Sequence, residues 1–262
     1  MAWAQERTIS QDGVTLTYGS DTFSKVEIVE AEKEPLPHPR DQLNVHPARL
    51  MFRFYAESRC VGLIELYPLE DRSVEDLNSA YPELLKRAGT LARLIRDRPP
   101  LPQRYPSGTP KEIPTIQNQI AGQYFLSHVR YLHFPWGSGV GFLVQYAQDP
   151  SEYAVGSHLN YQIEGIAAGR KIAVSASFDV NHPDLPHTKQ NGLVTDNNGD
   201  PIGEEAYSKY LRQMETFLDR KSETTFRPSL DAIQKLVGSL RFQNVDPADW
   251  GSSFNGKTIV TK

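Results

Sequence analysis

Two periods divide this chain. In some stretches every second residue is apolar; in others apolar residues return every third or fourth position. The clearest run of the first kind spans residues 122–180. There QYFLSHVRYLHF and VGFLVQYAQ flank PWGSG, and HLNYQIEGI and RKIAVSASFDV flank AAG. Period-two patterning rich in aromatic and β-branched residues predicts strands, and the Pro and Gly between them predict reversals. Two consecutive hairpins follow, with turns at 135–139 and 167–169. In the second, Leu159, Tyr161, Ile163, Ile172, Val174, Ala176 and Phe178 form an apolar row. Asn160, Gln162, Glu164, Ala173, Ser175, Ser177 and Asp179 between them are small or polar. That division predicts an antiparallel sheet with one buried face, in a register that a one-residue slip would destroy.

Residues 13–18, 25–32, 49–55 and 61–67 alternate in the same way and predict four earlier strands. The helical period appears three times. Leu77, Tyr81, Leu84, Leu85, Ala88, Leu91, Ala92 and Ile95 share one face, with Ser73 and Asp76 as a capping pair. Pro82 interrupts that run, which either kinks or restarts with Pro82 in its first turn. Tyr207, Tyr210, Leu211, Met214, Phe217 and Leu218 predict a helix over 204–220. Ser229 caps a third, with Leu230, Ile233, Leu236, Val237 and Leu240 on its face. Six prolines stiffen residues 99–114 into an extended connector. The expected architecture is α+β, a largely antiparallel sheet covered by helices. Residues 1–242 form a single domain with the connector inside it, and residues 243–262 form a tail ending in a strand-like TIV.

Composition adds a few bounds. The chain has 262 residues, 39% hydrophobic and 23% charged, enough for a substantial core. A net charge of −4 and a pI near 6.0 give no overall attraction to nucleic acid or anionic membranes. No apolar run approaches the ~20 residues of a membrane helix, so no transmembrane segment is expected. Cys60 is alone, so no intrachain disulfide can form, and within FYAESRCVGLIELY it reads as a small buried strand residue. Ala2-Trp3-Ala4 before Gln5 has the small-x-small form of a signal-peptidase site. Export to the periplasm or the outside is the expectation, and a plain polar N-terminus on a cytoplasmic protein is the alternative.

Strong catalytic signatures are missing: the sequence holds no Walker loop, HExxH, GxSxG or CxxC. Two candidate sites lie between the last central strand and the second helix. In the first, Asp179, His182, Asp184 and His187 supply imidazole and carboxylate ligands suited to zinc or a similar metal. Pro183 and Pro186 forbid a helix there, and a proline-stiffened loop with exposed histidines is the alternative. The second joins Asp196, Asn198 and Asp200 with Glu204, oxygen groups at alternate positions as in the first half of a calcium loop. Pro201 stands where such a loop has glycine and Tyr207 where it has its closing glutamate, so an Asx-rich turn is the alternative. The sequence thus establishes no cofactor; calcium at the second candidate, and zinc or a similar metal at the first, are the ones it raises.

Several phrases carry a resemblance. ARLMFRFY, IELYPLED, VRYLHFPWGSGVGFLVQYAQD and LDAIQKLVGSLRF together resemble a family of uncharacterised, mostly exported bacterial proteins of Chloroflexi and related groups, over residues 10–242. That likeness brings no catalytic residues. The order of early strands, long helix, antiparallel sheet and closing helix also resembles the PsbP-like αβα sandwich. The chain's length, its proline connector and its 181–203 loop depart from that pattern. This second likeness implies a non-enzymatic accessory or binding role, by analogy of fold. The expected function is therefore binding of a protein or small-molecule ligand. Two alternatives stay open: a metal-dependent hydrolase with its site on the 179–204 loop, and a self-assembling surface protein that forms homo-oligomers.

Overall fold

The computed structural model describes residues 5–31, 47–69, 82–101, 112–117, 121–147, 155–156, 159–167, 169, 172–185, 194–195, 199, 202–245 and, as backbone, 258–261. The architecture is α+β. A large antiparallel sheet is built from β3 (Lys25–Ala31), β4 (Arg49–Ala56), β5 (Arg59–Pro68), β6 (Gly122–Phe134), β7 (Gly137–Ala147), β8 (Asn160–Ala167), β9 (Ile172–Asp179) and β11 (Thr258–Thr261). These 8 strands stand in the order β11-β3-β4-β5-β9-β8-β7-β6. A 3-stranded sheet joins β1 (Glu6–Gln11), β2 (Val14–Gly19) and β10 (Arg241–Phe242). The helices are α1 (Pro82–Asp97), α2 (Glu204–Asp219) and α3 (Leu230–Gly238), with a 3₁₀ turn at Glu223–Thr225. No described helix is long and apolar enough to cross a membrane.

Residues 122–179 supply four adjacent strands, β6 to β9, and β9 then pairs with β5. The apolar row lands as its alternation requires. Leu159, Tyr161, Ile163, Ile172, Val174 and Phe178 are all buried. Phe178 closes a ring cluster with Phe54 at 5.3 Å and Phe23 at 5.9 Å. The large core on this face also takes in Leu16 and Tyr18 of β2, Leu211 and Leu218 of α2, and Ile233 and Val237 of α3. Helix α3 begins where Ser229 predicts it, the Ser229 hydroxyl accepting from the Ala232 N–H at 3.2 Å.

Several expectations change. The sheet is buried on both faces, not one. Helix α1 places Leu84, Ala88 and Leu91 against Tyr67 and Ala173 on the second face, and Gln162, Glu164 and Ser175 are buried there as well. Small side chains at Ala173 and Ser175 let cover approach closely, so a row that reads as solvent-facing is interior. The first reversal is tighter than 135–139. Pro135 and Trp136 alone make it, and Gly137 and Gly139 belong to β7. Gly139 faces Gly165 across β7 and β8. A Cβ on Gly139 would lie 2.6 Å from the Glu164 carbonyl oxygen, and one on Gly165 would lie 2.7 Å from the Trp136 indole. These glycines permit close approach. Trp136 uses the space: it stacks on Phe134 at 4.9 Å and donates its indole N–H to the Val237 carbonyl at 2.8 Å, tying the hairpin to α3. Finally, Cys60 is exposed, because it lies at the start of β5 beside the Glu57–Ser58 turn.

The described part of helix α1 starts at Pro82; Ser73, Asp76, Leu77 and Tyr81, on which the choice between a kink and a restart turns, lie outside the described residues. Ala92 is exposed, not part of the packed face.

Candidate functional site

The second face carries a polar floor. In register across three strands run Glu65 of β5, Ser175 of β9 and Glu164 of β8. One step along, Leu63, Ser177 and Gln162 form the next row, about 7 Å away at two residues per step. All three polar groups of the first row are buried. Glu164 accepts from the Ser175 hydroxyl at 2.9 Å and from the Ile116 N–H at 3.1 Å. Burial pushes its carboxyl up to about 8, and the charge of Glu65 adds to the rise. At neutral pH Glu164 is therefore mostly a neutral acid. Burial raises Glu65 as well, opposed by Arg49, whose Nε donates to it at 2.9 Å.

Part of this polarity is structural. The Gln123 side chain accepts from the Ile113 N–H at 2.9 Å and donates to the Ile113 carbonyl at 2.8 Å. Together with Glu164 it pins residues 112–117 across the second face, satisfying backbone groups that burial would otherwise strand. Arg87 of α1 donates to the Gln117 carbonyl at 2.8 Å and draws the same segment to the helix.

Beside the carboxyl row the cover opens into a cleft of about 370 Å³. Its floor is Leu63, Ser177 and Gln162; Val61, Asn160 and Asp179 form the next step, and Gln117, Tyr146, Gly62 and Cys60 complete the lining. The buried Gln162 accepts from the Tyr146 hydroxyl at 2.7 Å. Burial holds the Tyr146 phenol protonated well above its ordinary range. The charges at this end, Asp179 and Arg59, pair with each other in solvent. The cleft thus offers neutral amides and hydroxyls that can donate and accept, with no activated nucleophile and base in contact among the described residues.

The metal candidates fare differently. His182 is buried: its Nε2 is 2.8 Å from the Thr225 hydroxyl, and its Nδ1 accepts from the Asp184 N–H at 3.2 Å. Both ring nitrogens are engaged, which fixes a neutral ring with its proton on Nε2. Burial lowers its proton affinity further. Asp184 is exposed, and the Lys221 ammonium 2.6 Å away holds its carboxyl below the usual carboxylate range. Asp179 turns to Arg59 instead of His182. Glu204 is exposed in the first turn of α2. His187, Asp196, Asn198 and Asp200 lie outside the described residues. Among the described residues no three His, Cys, Asp or Glu side chains converge on a metal position.

A second concavity, about 620 Å³ and open, runs along the outer face of α2 between Lys209, Arg212, Arg220 and Lys221. Lys209 and Arg212 stand at helical spacing on the exposed side of the helix, Arg220 and Lys221 follow its end, and Lys221 is already paired with Asp184.

No protein-family model matches the chain, and no curated protein matches it. The two resemblances therefore rest on the quoted phrases and the element order alone.

Sequence reasoning passed over Gln162, Glu164 and Ser177 because alternation assigned them to water. One signal pointed the other way: an amphipathic helix at residues 82–97 needs a surface for its apolar stripe, and a second sheet face supplies it.

Proposed function

We propose that the protein is a non-enzymatic binding protein that takes a small uncharged ligand, rich in hydroxyl or amide groups, in the cleft above β5, β9 and β8. The observation that carries this reading is the buried Gln162 amide on the floor of an open cavity, flanked by Ser177, Asn160 and Tyr146. Small-molecule sites are concave, hold a few convergent polar groups and start at about 300 Å³. The ligand is uncharged because the floor carries no ionised group and the rim charges neutralise each other. The cleft's chemistry supports binding over turnover, since Cys60, the nucleophile at its edge, directs its thiol to the Gly62 carbonyl at 3.6 Å.

The test is a thermal-shift panel of neutral monosaccharides, nucleosides and amino-acid amides on wild type, Gln162→Leu and Ser177→Val. A ligand of this class raises the wild-type melting temperature by mass action and leaves both variants unmoved. A panel that shifts nothing, or shifts the variants equally, overturns the reading.

A further inference from the structure

Strand β6 is an edge of the large sheet, and α2 packs against it. At the contact β6 bulges: Ser127 faces Leu143 and Arg130 faces Gly141, so His128 and Val129 together oppose one residue of β7. His128 takes φ +50, a left-handed conformation that favours glycine at such bulges. The position keeps a large polar side chain because that side chain is bonded all round. Its Nε2 lies 2.6 Å from the carbonyl of Leu218, in the last turn of α2. Its Nδ1 lies 3.2 Å from the Arg130 guanidinium, which can only donate. Its backbone N–H donates to Asp219 at 2.7 Å, as does the Ser127 hydroxyl. The ring meets Phe226 edge-on at 5.3 Å. This geometry fits one protonation state, a neutral ring with its hydrogen on Nε2.

We propose that His128 is an acid-sensitive latch, holding the C-terminal turn of α2 on the edge strand at neutral pH and loosening it when the ring takes a second proton. That proton must enter at Nδ1, where it turns an acceptor into a donor facing Arg130. Arg130 is itself ion-paired with Glu223, which accepts from Gln234, and Gln234 also donates to the Tyr161 hydroxyl. Displacing Arg130 therefore disturbs a chain of contacts from the edge strand through the 3₁₀ turn to α3 and the sheet.

The charges facing the ring act in both directions. Asp219 of α2 and Glu223 of the 3₁₀ turn favour its protonation; Arg130 on its own strand opposes it, and His182 lies near enough for the two rings to disfavour each other's charge. Burial is the largest influence, and the ring's proton affinity falls below the ordinary value of 6.5. For a group depressed in the folded state, the stabilisation is complete above the unfolded value and is lost as pH falls through the folded one.

The test is hydrogen exchange on the full chain at about pH 7.5 and 5.0, corrected for intrinsic rates, for wild type, His128→Gln, His182→Gln and the double variant. In wild type and His182→Gln, opening of residues 218–227 rises on acidification by up to about tenfold per pH unit below 6.5. In His128→Gln the rise is smaller than in wild type, because only His182 is left to take up a proton there, and in the double variant His128→Gln/His182→Gln the opening is the same at both values. Equal protection of wild type at both values overturns the latch, and so does a His128→Gln protein that keeps the wild-type pH dependence. Should His128→Gln not fold, the wild-type ring is titrated by NMR. A midpoint below 6.5 shared with the Asp219 amide supports the latch; a midpoint at or above 6.5, or an Asp219 amide that does not follow, overturns it.

Discussion

Replacing Glu164 with glutamine should make the protein progressively more stable than wild type as pH rises. In the folded state the Glu164 carboxyl keeps its proton up to about 8, against an ordinary value of 4.5. Each pH unit of displacement corresponds to about 1.4 kcal/mol, so full ionisation of the folded protein opposes folding by about 5 kcal/mol. The sign follows from proton counts. Between 4.5 and about 8 the folded protein holds a proton that the unfolded chain has released, so wild-type stability is full below the lower value and falls as pH rises through the upper. The glutamine introduced by E164Q would present an amide oxygen to the Ile116 N–H and an amide N–H to the Ser175 hydroxyl, with nothing to titrate. The difference in unfolding free energy between E164Q and wild type should grow by about 1 kcal/mol per pH unit from pH 5 to 8 and level off above. Glu65 is present in both proteins and largely cancels. Urea unfolding at half-unit pH intervals measures the difference directly. A difference that stays constant across the range would refute the reasoning, since Glu164 would then ionise alike in the folded and unfolded chain.

Phe178→Ala should cost about 3–5 kcal/mol by urea unfolding, because the ring is fully buried and packed on Phe23, Phe54 and the bare backbone of Gly62; a cost under about 1 kcal/mol would contradict that packing. Gly165→Ala should destabilise by about 1–3 kcal/mol and shift Trp136 fluorescence, since its Cβ would press on the indole at 2.7 Å; unchanged emission and stability would show that the indole does not lie there. Asp219→Ala removes the acceptor for the Ser127 hydroxyl and the His128 N–H and should cost about 2–3 kcal/mol, with faster exchange at the His128 amide as the local readout.

Most of the strands and the two later helices were legible because each keeps one period over most of its length. Val26 and Ile28 alternate with charged residues in β3, and Leu230, Ile233, Leu236 and Val237 keep to one face of α3. What failed to show was anything set by distant partners. Ser175 and Gln162 have the same side chains whether they face water or a helix, and only the placement of α1 and residues 112–117 decides which. The strand at Glu6–Gln11 escaped notice for a related reason: only Ile9 of its six residues is buried, so the alternation has a single apolar beat.

The same dependence on distant partners governs the described members of the 179–187 candidate. A loop crowded with His, Asp and Asn draws attention because those side chains are the usual ligands of metals. Yet of the group 179–187 the two best-placed members have been recruited elsewhere, His182 into the packing around Phe226 at 5.0 Å and Asp184 into a pair with Lys221. A histidine whose two nitrogens both have partners has no lone pair left for a metal. Among the described residues, Gln162 and Ser177 line the open cleft from strands held in register on both sides. Rigid strands fix the positions of such groups more closely than a loop can, which is the physical ground for the proposal that the cleft binds a ligand.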